Sequence, residues 1–206
     1  MSESTTVQMT RCLQRMSEND VAARGELLAY SRRRLKLLSK RMFVRFPVLH
    51  AVEHSDDLFQ EAMVRLWQSL EAVGPTTVPG FMGLAALQMR RALCDLARKH
   101  LGRHNGIGLP ESHSHVVNGS EVLTAIIQKD GATNSPEELM CWSEFHAAAD
   151  RLSEPDRTDF DLLYYHGLPQ SEVATLMNVT ERQVRRYWQS ARQSLYRMME
   201  GSWPEM

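Results

Sequence analysis

The chain has 206 residues, a formal net charge of −1, and 43% hydrophobic residues with only 11 glycines and 8 prolines. This composition predicts a folded, soluble, helix-rich protein. No apolar run approaches the roughly 20 residues of a membrane span, and the N-terminal residues lack the apolar core of a signal peptide, so no membrane insertion and a cytoplasmic location are expected. The cysteines are odd in number and widely spaced, so they suggest neither a disulfide framework nor a zinc motif and are expected to act as small apolar fillers: Cys12, Cys94 and Cys141.

The small net charge conceals a strong separation of charges along the chain. Residues 90–104 and 181–198 each carry five basic side chains against a single acidic one. Residues 53–61 and 137–161 are predominantly acidic. This separation suggests two basic surfaces that face DNA, with the acidic faces directed elsewhere.

The N-terminal half is expected to be helical. Residues 1–16 are predicted to be a mobile tail and residues 17–104 an all-helical domain. Periodic apolar residues predict helices over 20–46, where Pro47 ends the helix, over 56–70 and over 81–100.

Two of these helices carry side chains of interest. In 56–70, Ser55 is the expected N-cap, Trp67 belongs to the broad buried half, and the exposed half includes a Glu61–Arg65 pair at i,i+4 spacing. The buried half as a whole is Leu58, Phe59, Ala62, Met63, Leu66, Trp67 and Leu70. In 81–100, the core stripe is Phe81, Ala85, Met89, Ala92, Leu93 and Leu96, with a charged ladder of Arg91, Asp95 and Arg98.

The C-terminal half is predicted to begin after a flexible linker. Residues 105–135 are rich in Gly, Ser, Asn and His, with one short turn of helix at 122–128. Residues 136–200 form a second helical domain. Its last part predicts two helices joined by a three-residue turn, in which Asn178 adopts a left-handed conformation.

The final helix has two chemically different faces. Val184, Trp188, Ala191 and Leu195 form a narrow apolar arc, while Arg182, Arg185, Arg186, Gln189 and Gln193 lie opposite. Thr180 and Gln183 have capping-box spacing. A short helix that packs across a second helix exposing Arg and Gln is the helix-turn-helix arrangement for the DNA major groove. Arg can bond to guanine and Gln to adenine, so this face suits base edges as well as phosphates.

Three segments together resemble a known family, the extracytoplasmic-function group of bacterial sigma-70-type RNA polymerase sigma factors. DDLFQEAMVRLW at 56–67 is similar to the acidic helix of the family's second region. FMGLAALQMRRALCDLARKH at 81–100 looks like the adjoining promoter-recognition helix. Residues 152–195 are similar to the fourth region. The resemblance implies an all-α protein of two small helical domains, a region 2-like bundle and a helix-turn-helix domain, joined by the flexible linker.

The resemblance also implies partners and roles. Core RNA polymerase would be contacted by Asp57, Gln60, Glu61 and Arg65. The minus-ten side of promoter DNA would be held by Arg90, Arg91, Arg98 and Lys99, where Arg91 has a structural brace as its alternative role. The minus-thirty-five element would be read by Thr180, Arg182, Gln183, Arg185, Arg186 and Gln189. An anti-sigma factor is a further partner that the family allows. No enzyme activity, cofactor or metal is implied.

Other functions compete with this one. A stand-alone helix-turn-helix regulator would bind a palindromic operator without polymerase. A degenerate sigma relative would bind polymerase without opening promoters, which the absence of aromatic residues from 82–100 leaves open. A metal-dependent enzyme could use His50 with His54 or His100 with His104, each at i,i+4 spacing, but neither pair has a third ligand or a metalloprotease signature.

Overall fold

The computed structural model describes residues 3–44, 54–104 and 136–200, and in these ranges the chain is helical without a strand. The expected all-α fold is thereby confirmed. The helices are α1 (Glu3–Ser17), α2 (Val21–Phe43), α3 (Ser55–Val73), α4 (Val78–His104), α5 (Pro136–Asp150), α6 (Asp156–Phe160), α7 (Gln170–Met177) and α8 (Glu181–Met198). A π-helical turn at Asp161–Tyr165 continues α6. We call the first four helices the N-terminal half and the others the C-terminal half.

Helix α1 occupies most of the segment expected to be a mobile tail, so that expectation is wrong for residues 3–16. Met9, Cys12 and Leu13 are buried because they recur at helical spacing and pack against α2. Arg15 ties the two helices together through Glu26, with 2.7 Å between Nη1 and Oε2. The prediction failed because the polar composition of this segment conceals a single apolar stripe at helical spacing.

Helices α2 and α3 follow the prediction closely, but α2 ends at Phe43 instead of residue 46, and α3 differs in its N-cap and in its buried half. The N-cap of α3 is His54 rather than Ser55, and Asp57 Oδ2 accepts a hydrogen bond from the His54 backbone N–H at 2.9 Å. Trp67 was expected to be buried but is 42% exposed, and Met63, expected to be buried as well, is only partly covered. Trp67 is the larger departure. It lies on the edge of the apolar arc, where the guanidinium of Arg24 covers its ring at 5.0 Å from the centroid.

Helix α4 is the helix of the N-terminal half against which the C-terminal half packs most. Its predicted core stripe is buried except for Leu96, which is only partly covered. Met82, Leu84 and Cys94 are buried as well, because α5 and the π-helical turn pack against α4 in addition to α2 and α3. Buried side chains from both halves belong to one hydrophobic core. The predicted linker, including 122–128, lies outside the described residues.

The C-terminal half places its last two helices around a tight turn. Asn178 has φ 54° and ψ 47°, the left-handed conformation expected of it. Thr180 Oγ1 accepts from the Gln183 backbone N–H at 3.3 Å and so begins α8. Val184, Ala191 and Leu195 are fully buried, and the Trp188 ring stacks on Phe160 with 5.5 Å between centroids. The apolar arc of the final helix is therefore the face that packs against the rest of the C-terminal half.

Candidate nucleic-acid interface

One surface groove of about 500 Å³ is lined by the six side chains assigned above to the minus-thirty-five element. They are Thr180, Arg182, Gln183, Arg185, Arg186 and Gln189. Because the apolar arc of α8 faces the core, these residues are directed outward, and all except the partly covered Gln183 are exposed. We call this surface the α8 groove.

The α8 groove is held in shape by short local contacts. Gln183 Nε2 donates to Tyr187 Oη at 2.9 Å, and Arg185 Nη1 lies 3.6 Å from Glu181 Oε2. The Arg186 guanidinium lies 5.8 Å from the centre of the Tyr187 ring. These contacts are exposed or only partly covered, so they are weak and can be exchanged for contacts to an anionic polymer. The groove therefore presents cations and amides that suit a nucleic acid.

The side chains assigned to the minus-ten element divide into two groups. Arg91, Arg98 and Lys99 are exposed on α4. Arg98 Nη1 lies 2.7 Å from Asp95 Oδ1, as the i,i+3 spacing predicts. The other carboxylate oxygen of Asp95 bonds to Arg65 of α3 rather than to Arg91, so the expected three-residue ladder is only partly formed.

Arg90 lies elsewhere, because its side chain is only 1% exposed. Its guanidinium pairs with Asp150 of α5, at 2.6 Å between Nη2 and Oδ1, and with Asp161 of the π-helical turn. It also covers the Tyr165 ring at 4.9 Å from the centroid. Burial alone would lower the pKa of Arg90, but Asp161, Tyr165 and Asp150 together raise it above its ordinary value. In this arrangement Arg90 cannot reach DNA, contrary to the expectation that it faces phosphates.

The residues assigned to polymerase contact share one surface of α3. Asp57, Gln60 and Glu61 are exposed, whereas Arg65 is partly covered. Arg65 bonds to Glu61 Oε1 at 2.9 Å and to Asp95 Oδ2 at 2.6 Å. Burial acts to lower the pKa of Arg65, but its bonds to Asp95 and Glu61 outweigh it and leave that pKa raised. Arg65 thus braces α3 on α4, while the other three side chains form an exposed polar surface.

Metal and membrane functions find no support in the described ranges. Among the residues searched there, no three His, Cys, Asp or Glu side chains are grouped as metal ligands. His50 and the side chains of His100 and His104 lie outside the described residues. No helix in the described part of the chain is long and apolar enough to cross a bilayer.

Sequence reasoning missed the residues through which the C-terminal half contacts α4 and α2. Besides Asp150, Asp161 and Tyr165 there is His166, whose Nε2 lies 2.9 Å from the Met82 carbonyl oxygen. The His166 carbonyl accepts from Arg34 and Arg41 of α2. The signal was present in the acidic run 137–161, which contains both carboxylates that bind Arg90.

Comparison with known proteins agrees with this geometry. A search of the curated proteins gave no match to this chain. The family model described as ECF sigma factor matches residues 6–201, which is nearly the whole chain. Proteins of this family act in transcription initiation, are non-enzymatic in general, and bind core RNA polymerase and promoter DNA. The chain belongs to the ECF sigma factor family.

Proposed function

We propose that this protein binds core RNA polymerase and directs it to specific promoters, with the α8 groove reading the minus-thirty-five element. The observation that carries the proposal is the exposed α8 groove, in which three arginines and two glutamines line one surface of a capped helix. Such a surface can bond to base edges and to phosphates in the major groove.

The second part of the proposal is polymerase docking through α3. Gln60 and Glu61 are exposed on this helix. Asp57 is also exposed, but it additionally closes the N-terminus of α3 through the His54 backbone. Gln60 is therefore the residue whose substitution tests docking with the least effect on folding, whereas Glu61 also pairs with Arg65 at 2.9 Å.

The third part concerns the minus-ten element. Arg91, Arg98 and Lys99 on α4 would hold phosphates, a contribution that is independent of sequence and weakened by salt. Residues 82–100 contain no aromatic side chain, so this helix offers cations rather than a stacking surface. Two separate DNA contacts made through one polymerase assembly gain effective concentration over either contact alone.

The test is co-elution of the purified protein with sigma-free core polymerase on a sizing column. We expect a stoichiometric complex that Gln60→Lys and Glu61→Lys each weaken strongly. The matched control is Glu144→Lys, an exposed carboxylate on α5 outside the proposed docking surface. Correctly folded protein that gives no complex would overturn the proposal and favour a stand-alone regulator. A complex that initiates at no promoter in transcript mapping would instead indicate a relative that binds polymerase without opening DNA.

A further inference from the structure

Gln183 is held at two points, whereas the other side chains that line the α8 groove are exposed. Its backbone N–H donates to Thr180 Oγ1 at 3.3 Å, and its side-chain Nε2 donates to Tyr187 Oη at 2.9 Å. Tyr187 is partly covered and lies one helical turn further along α8, outside the set of residues that lines the groove. Gln183 therefore enters the groove from a capped backbone and with its amide tethered to Tyr187.

The bond to Tyr187 leaves the Gln183 amide with one donor and one acceptor. A glutamine amide has two N–H donors and one carbonyl oxygen. With one N–H directed at Tyr187 Oη, the second N–H and Oε1 remain for another partner. Adenine presents an acceptor at N7 beside a donor at its N6 amino group in the major groove, whereas guanine presents only acceptors there and cytosine a donor. The tethered amide therefore matches adenine best.

The tether also reduces the entropic cost of a contact with DNA. A free glutamine side chain loses rotamers when it forms a contact, and this loss opposes binding. Gln183 and Tyr187 are four residues apart, which is a spacing at which two side chains on one helix meet. The hydroxyl of Tyr187 therefore orders the Gln183 side chain within α8, before any DNA is present.

The ring of Tyr187 contacts a different neighbour from its hydroxyl. The Arg186 guanidinium lies 5.8 Å from the centre of that ring. A phenylalanine at position 187 would keep the ring and remove only the hydroxyl. One substitution therefore separates the two contacts of Tyr187, and Arg186 provides an internal reference in each measurement on DNA.

We propose that Tyr187 is a positioning residue whose hydroxyl orients the Gln183 amide for an adenine of the minus-thirty-five element and so sets the base preference there. The base preference rests on the proposed function, because it requires that the α8 groove reads DNA. The tether between the two side chains does not depend on that function. Tether and base preference therefore have separate measurements.

The tether is measured by NMR relaxation of side-chain amide nitrogens in the full-length chain, without polymerase or DNA. The Gln183 signals are assigned by their disappearance in Gln183→Ala. We expect an order parameter above about 0.6 for this amide in the natural sequence and below that value in Tyr187→Phe. The matched control is Tyr196→Phe, since Tyr196 is 58% exposed on α8 outside the groove. A mobile Gln183 amide in the natural sequence would overturn the tether.

The base preference is measured with holoenzyme, formed with core polymerase, and a promoter library randomised over the minus-thirty-five element. Sequencing of the bound DNA gives the preference at every position. Gln183→Ala identifies the position at which the preference for adenine is lost, and Arg186→Ala identifies the position that Arg186 reads. We expect Tyr187→Phe to reduce the adenine preference at the Gln183 position by roughly three- to tenfold, the effect of one hydrogen bond. The Arg186 position should not change, and Tyr196→Phe should change neither.

A double variant shows whether Tyr187 acts through Gln183. In the Gln183→Ala background, Tyr187→Phe should have no further effect on the library. If the lost hydroxyl loosened α8 in general, Tyr187→Phe would lower the preference at every position, and it would do so in the Gln183→Ala background as well. That result would overturn the positioning role.

Two further results would overturn the base preference. One is an adenine preference that Tyr187→Phe leaves unchanged or strengthens, which would show that the tether holds Gln183 away from DNA. The other is a Gln183 position that prefers a base other than adenine. Holoenzyme of the natural sequence that selects no minus-thirty-five sequence would overturn the proposed function, and the base preference with it, while the tether would still stand on the NMR measurement.

Discussion

Arg65 Nη1 of α3 lies 2.6 Å from Asp95 Oδ2 of α4, and this bond joins the helix proposed to dock on polymerase to the helix proposed to face the minus-ten element. The same Asp95 bonds to Arg98 through its other oxygen. The Arg65 side chain is 29% exposed and that of Arg98 is 70% exposed. Solvent therefore screens the two bonds to different degrees.

We expect a measurable coupling energy between Arg65 and Asp95. A double-mutant cycle with Arg65→Ala and Asp95→Ala, followed by urea unfolding, should give about 0.5–1 kcal/mol. The cycle of Arg98→Ala with Asp95→Ala should give a value near zero because that pair is exposed. Equal couplings in the two cycles would show that Arg65 does not brace the helices.

Arg186 should contribute to promoter affinity because it lines the α8 groove. In holoenzyme bound to a promoter found by transcript mapping, we expect Arg186→Ala to cost about 1–3 kcal/mol if it contacts a base. Anisotropy titration measures the change. Arg192→Ala is the matched control, since Arg192 is exposed on α8 outside the groove. A larger loss for Arg192 than for Arg186 would place the DNA on another face of α8.

Leu13 should be a core residue, although it belongs to a segment whose composition indicates a tail. Its side chain is 1% exposed, so Leu13→Ala should lower the free energy of unfolding by about 2–5 kcal/mol. Leu37→Ala provides the comparison, because Leu37 of α2 is 52% exposed and its truncation should change stability by less than about 0.5 kcal/mol. Urea unfolding followed by circular dichroism gives both values. If both variants lost a similarly small free energy of unfolding, α1 would not be part of the core.

Asp159 should make stability depend on pH. Burial, and then the nearby Asp156 carboxylate, raise the pKa of Asp159 to about 7, and neither of its oxygens has a hydrogen-bond partner among the described residues. Asp159 keeps its proton to a higher pH in the folded state than in the unfolded state. Its contribution to the free energy of unfolding is therefore complete below about pH 4 and is lost as pH rises through 7.

Asp159→Asn, which cannot ionise, should therefore be more stable than the natural sequence at pH 8, by roughly 1–3 kcal/mol, and this advantage should become smaller towards pH 5. Urea midpoints between pH 5 and pH 8 measure the difference. Glu144→Gln removes an exposed carboxylate, and its urea midpoint should change with pH in the same way as that of the natural sequence. A constant offset between Asp159→Asn and the natural sequence would contradict the prediction.

The sequence predicted the α8 groove well because the information for it is local. The apolar arc, the Thr180 cap and the left-handed Asn178 all depend on residues within the last two helices and the turn between them, and the structure contains each of them. Arg90 and Trp67 could not be placed in the same way. The surroundings of both side chains depend on partners distant in sequence. Arg90 pairs with Asp161, and the ring of Trp67 is covered by Arg24. Helical periodicity assigns a side chain to a face of its helix but does not show what covers that face.

The turn at Gly167 restricts which residues this position can accept. Its φ of +60° resembles that of Asn178, so the backbone conformation by itself would also permit an asparagine here. A Cβ at Gly167, however, would lie 2.0 Å from Arg41 Nη1, the group that donates to the His166 carbonyl. Any side chain here would therefore displace Arg41 and give up that bond. At this position the mutational tolerance of the turn is limited by α2, a helix more than 120 residues earlier in the chain.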